Sequence, residues 1–125
     1  MAIQIKGYNH VGIVVTDLEA CKRFYGEILG LKDVKDAQRQ RPAFNFPGHW
    51  YQVDENTQLH LMVFEEVIPN TMRHFALEVE DFQKALAHLE AHNIAIVDGP
   101  DKRPDGSDYL FCKDPDGNLV ELTKH

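Results

Sequence analysis

The chain is poor in several features that would fix its class at once. It has two cysteines, Cys21 and Cys112, in 125 residues. That is too few for a disulfide-stapled secreted scaffold and suits a reducing compartment. Cys21 falls on the apolar face of a predicted helix, where a thiol serves as small hydrophobic filler. No window approaches the run of about 20 apolar residues that a membrane-crossing helix needs. Residues 1–7 carry no long apolar stretch behind a basic start, so no signal peptide is read there. The expectation is a cytoplasmic protein with no membrane partner. Positive charge is scarce as well: 13 Lys and Arg stand against 20 Asp and Glu, a formal net charge of −7. The basic clusters are Arg39/Arg41 and Lys102/Arg103. Such a chain repels phosphate backbones, which argues against nucleic acid.

What remains is ordinary globular material, 43% apolar and 26% charged, enough for a core in one domain or two small modules. The seven histidines are the unusual part.

The chain repeats itself. Residues 8–18 read Tyr-Asn-His-Val-Gly-Ile-Val-Val-Thr-Asp-Leu, and residues 72–82 read Met-Arg-His-Phe-Ala-Leu-Glu-Val-Glu-Asp-Phe. Aligning His10 with His74 brings Ile13 onto Leu77, Val15 onto Val79 and Asp17 onto Asp81. An amphipathic helix follows in each half. The first should begin at Thr16, with Glu19 completing a capping box, present Leu18, Cys21, Tyr25 and Ile28 at helical spacing, and stop at Gly30. The second should begin near Asp81, bury Phe82, Ala85, Leu86 and Leu89, and end at Asn93. Strand-like segments follow at roughly 31–35, 43–53 and 57–64, then at 94–97, 107–113 and 118–123. Ile68-Pro-Asn70 reads as a join between module 1, about 1–68, and module 2, about 70–125. Residues 114–118, Asp-Pro-Asp-Gly-Asn, read as a tight hairpin turn. The last strands correspond too, with His60 opposite Glu121.

Side chains on a strand alternate between two faces. Val11, Ile13 and Val15 oppose His10, Gly12 and Val14, and Leu59 and Leu61 oppose His60, Met62 and Phe64. In the second half, Phe75 and Leu77 oppose His74, while Val120 and Leu122 oppose Glu121. The apolar faces should pack on the helices, leaving His10, His60, His74 and Glu121 to look into a shared concavity. Three imidazoles and a carboxylate suit one divalent ion: zinc, iron, nickel, cobalt or manganese. The other histidines fit no such set. His88 and His92 lack the glutamate spacing of a zincin helix and read as a solvated flank. His49 sits at a strand entry beside Trp50, and His125 is terminal.

The sequence resembles the vicinal oxygen chelate superfamily, which includes glyoxalase I, fosfomycin-resistance proteins and extradiol dioxygenases. Residues 9–18, residues 24–31 (Phe-Tyr-Gly-Glu-Ile-Leu-Gly-Leu) and residues 114–122 (Asp-Pro-Asp-Gly-Asn-Leu-Val-Glu-Leu) carry the resemblance, which spans nearly the whole chain. Residues 46–53 and 58–61 resemble a branch of small bacterial glyoxalase-like proteins. The resemblance implies an α+β fold: two βαβββ modules forming a curved mixed sheet of eight strands, with helices on its convex side. It implies a homodimer with shared sites, His10 and His60 from one chain meeting His74 and Glu121 from its partner. Glyoxalase I carries a glutamate where this chain has His60. Its two glutathione-holding positions are here Val14 and Phe64, which would leave a glutathione carboxylate unpaired.

The implied activity is that of a metal-dependent lyase or isomerase of the glyoxalase type. The metal would chelate vicinal oxygens of a small-molecule substrate and stabilise an enediolate or oxyanion, with Glu121 as ligand and base. An extradiol-type dioxygenase is the first alternative, since Val14, Met62, Phe64 and Leu119 would suit an apolar diol, though His60 would crowd its open coordination positions. A fosfomycin- or bleomycin-resistance-type protein that modifies or sequesters a ligand is the second. There Tyr109 and Phe111 stand where some fosfomycin enzymes hold the phosphonate with Ser and Tyr. Two loops should contact substrate: one with Arg39, Arg41 and Phe44, the other with Lys102, Arg103 and Gly106 ahead of Tyr109.

Overall fold

The computed structural model describes residues 1–34 and 46–125. The loop with Arg39, Arg41 and Phe44, and the first residues of the strand expected from 43, lie outside them. The chain forms two compact units, Met1–Glu66 and Val67–His125.

In the first unit, β1 (His10–Val15) leads into a helix, α1 (Leu18–Lys22), which continues as a π-helical turn (Arg23–Ile28). Strands β2 (Lys32–Asp33), β3 (Gly48–Gln52) and β4 (Gln58–Val63) follow, and the sheet order is β1-β4-β3-β2. In the second, β5 (His74–Glu78) leads into α2 (Phe82–Ala91), then β6 (Ile96–Lys102), β7 (Asp108–Lys113) and β8 (Leu119–Lys124), in the order β5-β8-β7-β6. The eight strands thus pair as two four-stranded mixed sheets of one topology, each with a parallel pair between its first and last strands.

The register carries the repeat to single residues. His10 pairs with Gln58 and His74 with Leu119; two residues on, Gly12 pairs with His60 and Ala76 with Glu121. His60 and Glu121 therefore occupy equivalent places, one strand over from the two first-strand histidines.

The first helix starts one residue later than the capping box suggests, and the second has its cap at Asp81 as expected. Asp17, not Thr16, is the first cap, its carboxylate accepting from the Ala20 amide at 3.1 Å. Asp81 caps α2 in the same way through the Lys84 amide at 3.0 Å. A carboxylate outcompetes the hydroxyl here because it also meets the positive end of the helix dipole. Asp81→Ala is expected to cost about 1 kcal/mol, read as a lowered urea midpoint with unchanged slope. The first helix also widens. The Leu29 amide reaches back to the Phe24 carbonyl at 2.8 Å, five residues rather than four. This rotates Phe24 inward beside Cys21 and Tyr25, all three at most 1% exposed, and the simple helical stripe leaves Phe24 out. Gly30 follows at φ +80, and Asn93 ends α2 at φ 59, as the stop signals predict.

Strand β6 runs beyond the expected 94–97, because its register slips twice on the way to Asp101 and Lys102, which sequence alternation does not reveal. The Asp114 turn is held from inside. Its buried carboxylate accepts from the Asp116 and Asn118 amides, each at 2.9 Å.

Neither cysteine forms a disulfide, and both are fully buried. Burial first, then the Asp114 carboxylate, pushes the Cys112 thiol up to about 11 from 9.0. Burial, then Asp33, pushes Tyr51 up to about 12 from 10.0. In both cases the neutral form is favoured in the folded state, so the unfolded chain releases its proton first. The Cys112 contribution is complete below about pH 9 and declines as pH rises through 11, and the Tyr51 contribution does so between about pH 10 and 12. Cys112→Ala should flatten this alkaline loss by on the order of 2 kcal/mol, measured as urea midpoints at pH 8 and pH 11.

Among the described residues, no helix is long and apolar enough to cross a membrane.

Candidate metal centre

Each unit sets its histidines with its own strands. In the second unit, parallel pairing of β5 with β8 brings His74 and Glu121 onto one face, with His74 Nε2 3.1 Å from Glu121 Oε1. The other ring nitrogen is committed: Nδ1–H donates to the Met72 carbonyl at 2.6 Å. A neutral imidazole that donates from Nδ1 carries its lone pair on Nε2. That lone pair faces a carboxylate oxygen, itself an acceptor. A proton or a metal ion placed between the two would join them. Orientation of a ligating imidazole by a backbone carbonyl through its far N–H is the usual support of a metal-binding histidine. The donor set therefore fits a divalent ion.

Glu121 is 4% exposed, and its second oxygen accepts from Arg103 Nη2. Arg103 also reaches Thr123 Oγ1 at 3.4 Å and lies 4.5 Å from the centre of the Tyr109 ring. Phe111, the cross-strand partner of Glu121, packs edge-on against the His74 ring at 4.8 Å.

The first unit has a parallel arrangement with different chemistry. Trp50 is the cross-strand partner of His60 and stacks on it at 3.8 Å and 9°. It also meets the His10 ring edge-on at 5.2 Å. Trp50 thus stands to His10 as Phe111 stands to His74. His10 Nδ1 donates to Asn9 Oδ1 at 2.7 Å, which leaves Nε2 as its acceptor. His60 is 4% exposed.

The four expected ligands are thus divided two and two between the units. His74 and Glu121 are in contact, and no three His, Cys, Asp or Glu side chains gather among the described residues. Of the expected substrate contacts, Val14 and Met62 are half-buried and Phe64 is 40% exposed. Met62 covers Gly12, where an added Cβ would sit 3.0 Å from its Cε. Tyr109 is half-buried beneath the Arg103 guanidinium. Arg103, expected to face substrate, is instead bound to the carboxylate of the expected ligand. Trp50 and Phe111 are not expected beside the histidines by the sequence-based reading, which notes Phe111 only at a phosphonate-holding position, and the Met72 carbonyl is absent from it. The repeat does hold a signal for the first two, since the offset that aligns His60 with Glu121 also aligns Trp50 with Phe111. His88 and His92 are exposed and rest on each other at 4.3 Å, as a solvated flank would.

The profile of the Glyoxalase/Bleomycin resistance protein/Dioxygenase superfamily matches residues 7–122. The chain belongs to this superfamily. Among its relatives, YaeR of Escherichia coli is 29% identical, over 94% of this chain and 95% of its own length. The metallothiol transferase FosB of Staphylococcus haemolyticus is 26% identical, over 94% of this chain and 83% of its own. A Bacillus anthracis protein described as of the glyoxalase family superimposes with a TM-score of 0.81 at 25% identity, covering 100% of this chain and 99% of that one. Proteins of this superfamily are commonly enzymes.

Proposed function

We propose that this protein is a metal-dependent enzyme of the lyase or isomerase class. It acts on a small substrate that presents two neighbouring oxygens and carries no glutathione. The observation that carries the reading is the apposition of His74 Nε2 and Glu121 Oε1 at 3.1 Å, with the imidazole fixed from behind by the Met72 carbonyl. His10 and His60 complete the ligand set, supplied in a homodimer by the partner chain. The divalent ion supplies Lewis-acid stabilisation of an oxyanion or enediolate.

The protein's own groups do the rest. His74 is held in one tautomer, so its lone pair is oriented before anything binds. Glu121, nearly buried, holds a proton on its carboxylate during transfer between neighbouring carbons or oxygens. Val14 and Phe64 offer no partner to a glutathione carboxylate, and with Met62 they form an apolar lining that suits a small, weakly polar substrate. Arg103, carried on the Tyr109 ring, provides a cation beside the carboxylate and is the group that would meet an acidic substituent.

That cation supports a second reading, transfer of a group to an anionic acceptor. The similarity to FosB, a metallothiol transferase, points the same way.

The test is reconstitution of the purified protein with zinc, nickel, manganese or iron(II), followed by turnover assays on hemithioacetals of small thiols, vicinal diols and phosphonates. Stoichiometric metal, and turnover of a non-glutathione substrate that chelators abolish, is the expected result. Oxygen consumption with iron(II) would move the activity to the dioxygenase class. A protein that takes up no divalent ion and only retains ligands unchanged would refute the proposal.

A further inference from the structure

Arg103 has a place in this site that the ligand set alone does not require. Glu121 is almost fully buried, and a buried carboxylate needs compensating charge. The guanidinium supplies it through Nη2, while Nη1 reaches Thr123 Oγ1 at 3.4 Å and the Tyr109 ring supports its face. Three contacts from two strands therefore hold one cation against one oxygen of the expected ligand. Arg103 itself is about one-third exposed. It can leave the carboxylate without unfolding anything, and the Tyr109 ring can keep it near.

We infer that Arg103 is a built-in counter-cation for Glu121, which a divalent ion displaces and so frees to bind an anionic group of the substrate. The inference rests on the metal-centre reading above and adds a coupling to it. Arginine and metal compete for one carboxylate, so each weakens the other's hold on it. By reciprocity, an anion that draws Arg103 away strengthens metal binding. The site is then protected when empty, because its buried charge is neutralised. It is primed when filled, because metal uptake and exposure of an anion-binding guanidinium are one event.

Manganese(II) binding by titration calorimetry tests this without an activity assay. Arg103→Gln, which removes the charge, should bind manganese about tenfold more tightly than the parent. Arg103→Lys, which keeps it, should stay near the parent value. Equal or weaker binding by a folded Arg103→Gln would overturn the inference while leaving the metal centre intact. Should the parent prefer zinc, nickel or iron(II), the same comparison is made with that ion; if it binds none of the four, the metal reading fails and the coupling fails with it.

The parent protein gives an independent readout should the variant be unstable. A pinned guanidinium rotates slowly about its Cζ–Nη bonds and shows separate Nη resonances. Zinc should merge those of Arg103 as it is released. Separate signals persisting in the zinc-loaded protein would also overturn the inference.

Discussion

Glu121→Gln is expected to lower divalent-metal affinity by more than about a hundredfold. Loss of a group that merely orients a ligand typically costs about 10–100-fold, and Glu121 is proposed here as a ligand itself, the one carboxylate in the set. The substitution keeps the shape of a 4%-exposed side chain but removes the charge that opposes both the ion and Arg103. The variant should stay folded, since the glutamine oxygen can still accept from Arg103 Nη2 while its amide NH2 donates to the Nε2 lone pair of His74. Competition titration against a fluorescent chelator measures the loss, and a thermal midpoint near that of the parent keeps it distinct from unfolding. Affinity within a factor of a few of the parent would remove Glu121 from the centre.

Trp50→Ala is expected to be the most destabilising change in the first unit, at about 3–5 kcal/mol. Trp50 is 8% exposed, stacked on His60 and edge-on to His10. Its removal opens a cavity and frees both imidazoles to rotate. The thermal midpoint should fall by about 10 °C or more. The repeat supplies the control: Phe111 holds the equivalent place against His74, so Trp50→Phe should cost far less. Trp50 is also the sole tryptophan. Its fluorescence in the parent should respond when a metal ion reaches His10 or His60, and the response should disappear in His10→Ala. If Trp50→Ala and Trp50→Phe are equally damaging, the ring contacts are not what fixes this face.

Most of the fold was legible because it is written twice. Two capped amphipathic helices, each preceded by one strand and followed by three, announce paired modules, and the one-for-one register of β1 with β4 and β5 with β8 bears this out. Less local features were not legible. The π-turn at Phe24 depends on how the helix meets its sheet, and the double slip in β6 depends on pairing rather than alternation. The Asp17 cap is a competition between neighbouring side chains that the capping-box pattern decides the other way.

The site divides similarly. Strand parity placed His74 and Glu121 on one face, and the structure brings them into contact. Parity says nothing of what lies across a loop, so it missed that Arg103 would turn back onto Glu121, and that Trp50 would reach across β4 toward His10.

The most direct test of the central claim is an anomalous difference map from crystals of the metal-loaded protein. The expected result is one peak, about 2.0–2.2 Å from His74 Nε2 and a Glu121 oxygen, with His10 as a further ligand. A well-occupied peak bonded to neither His74 nor Glu121 would contradict it.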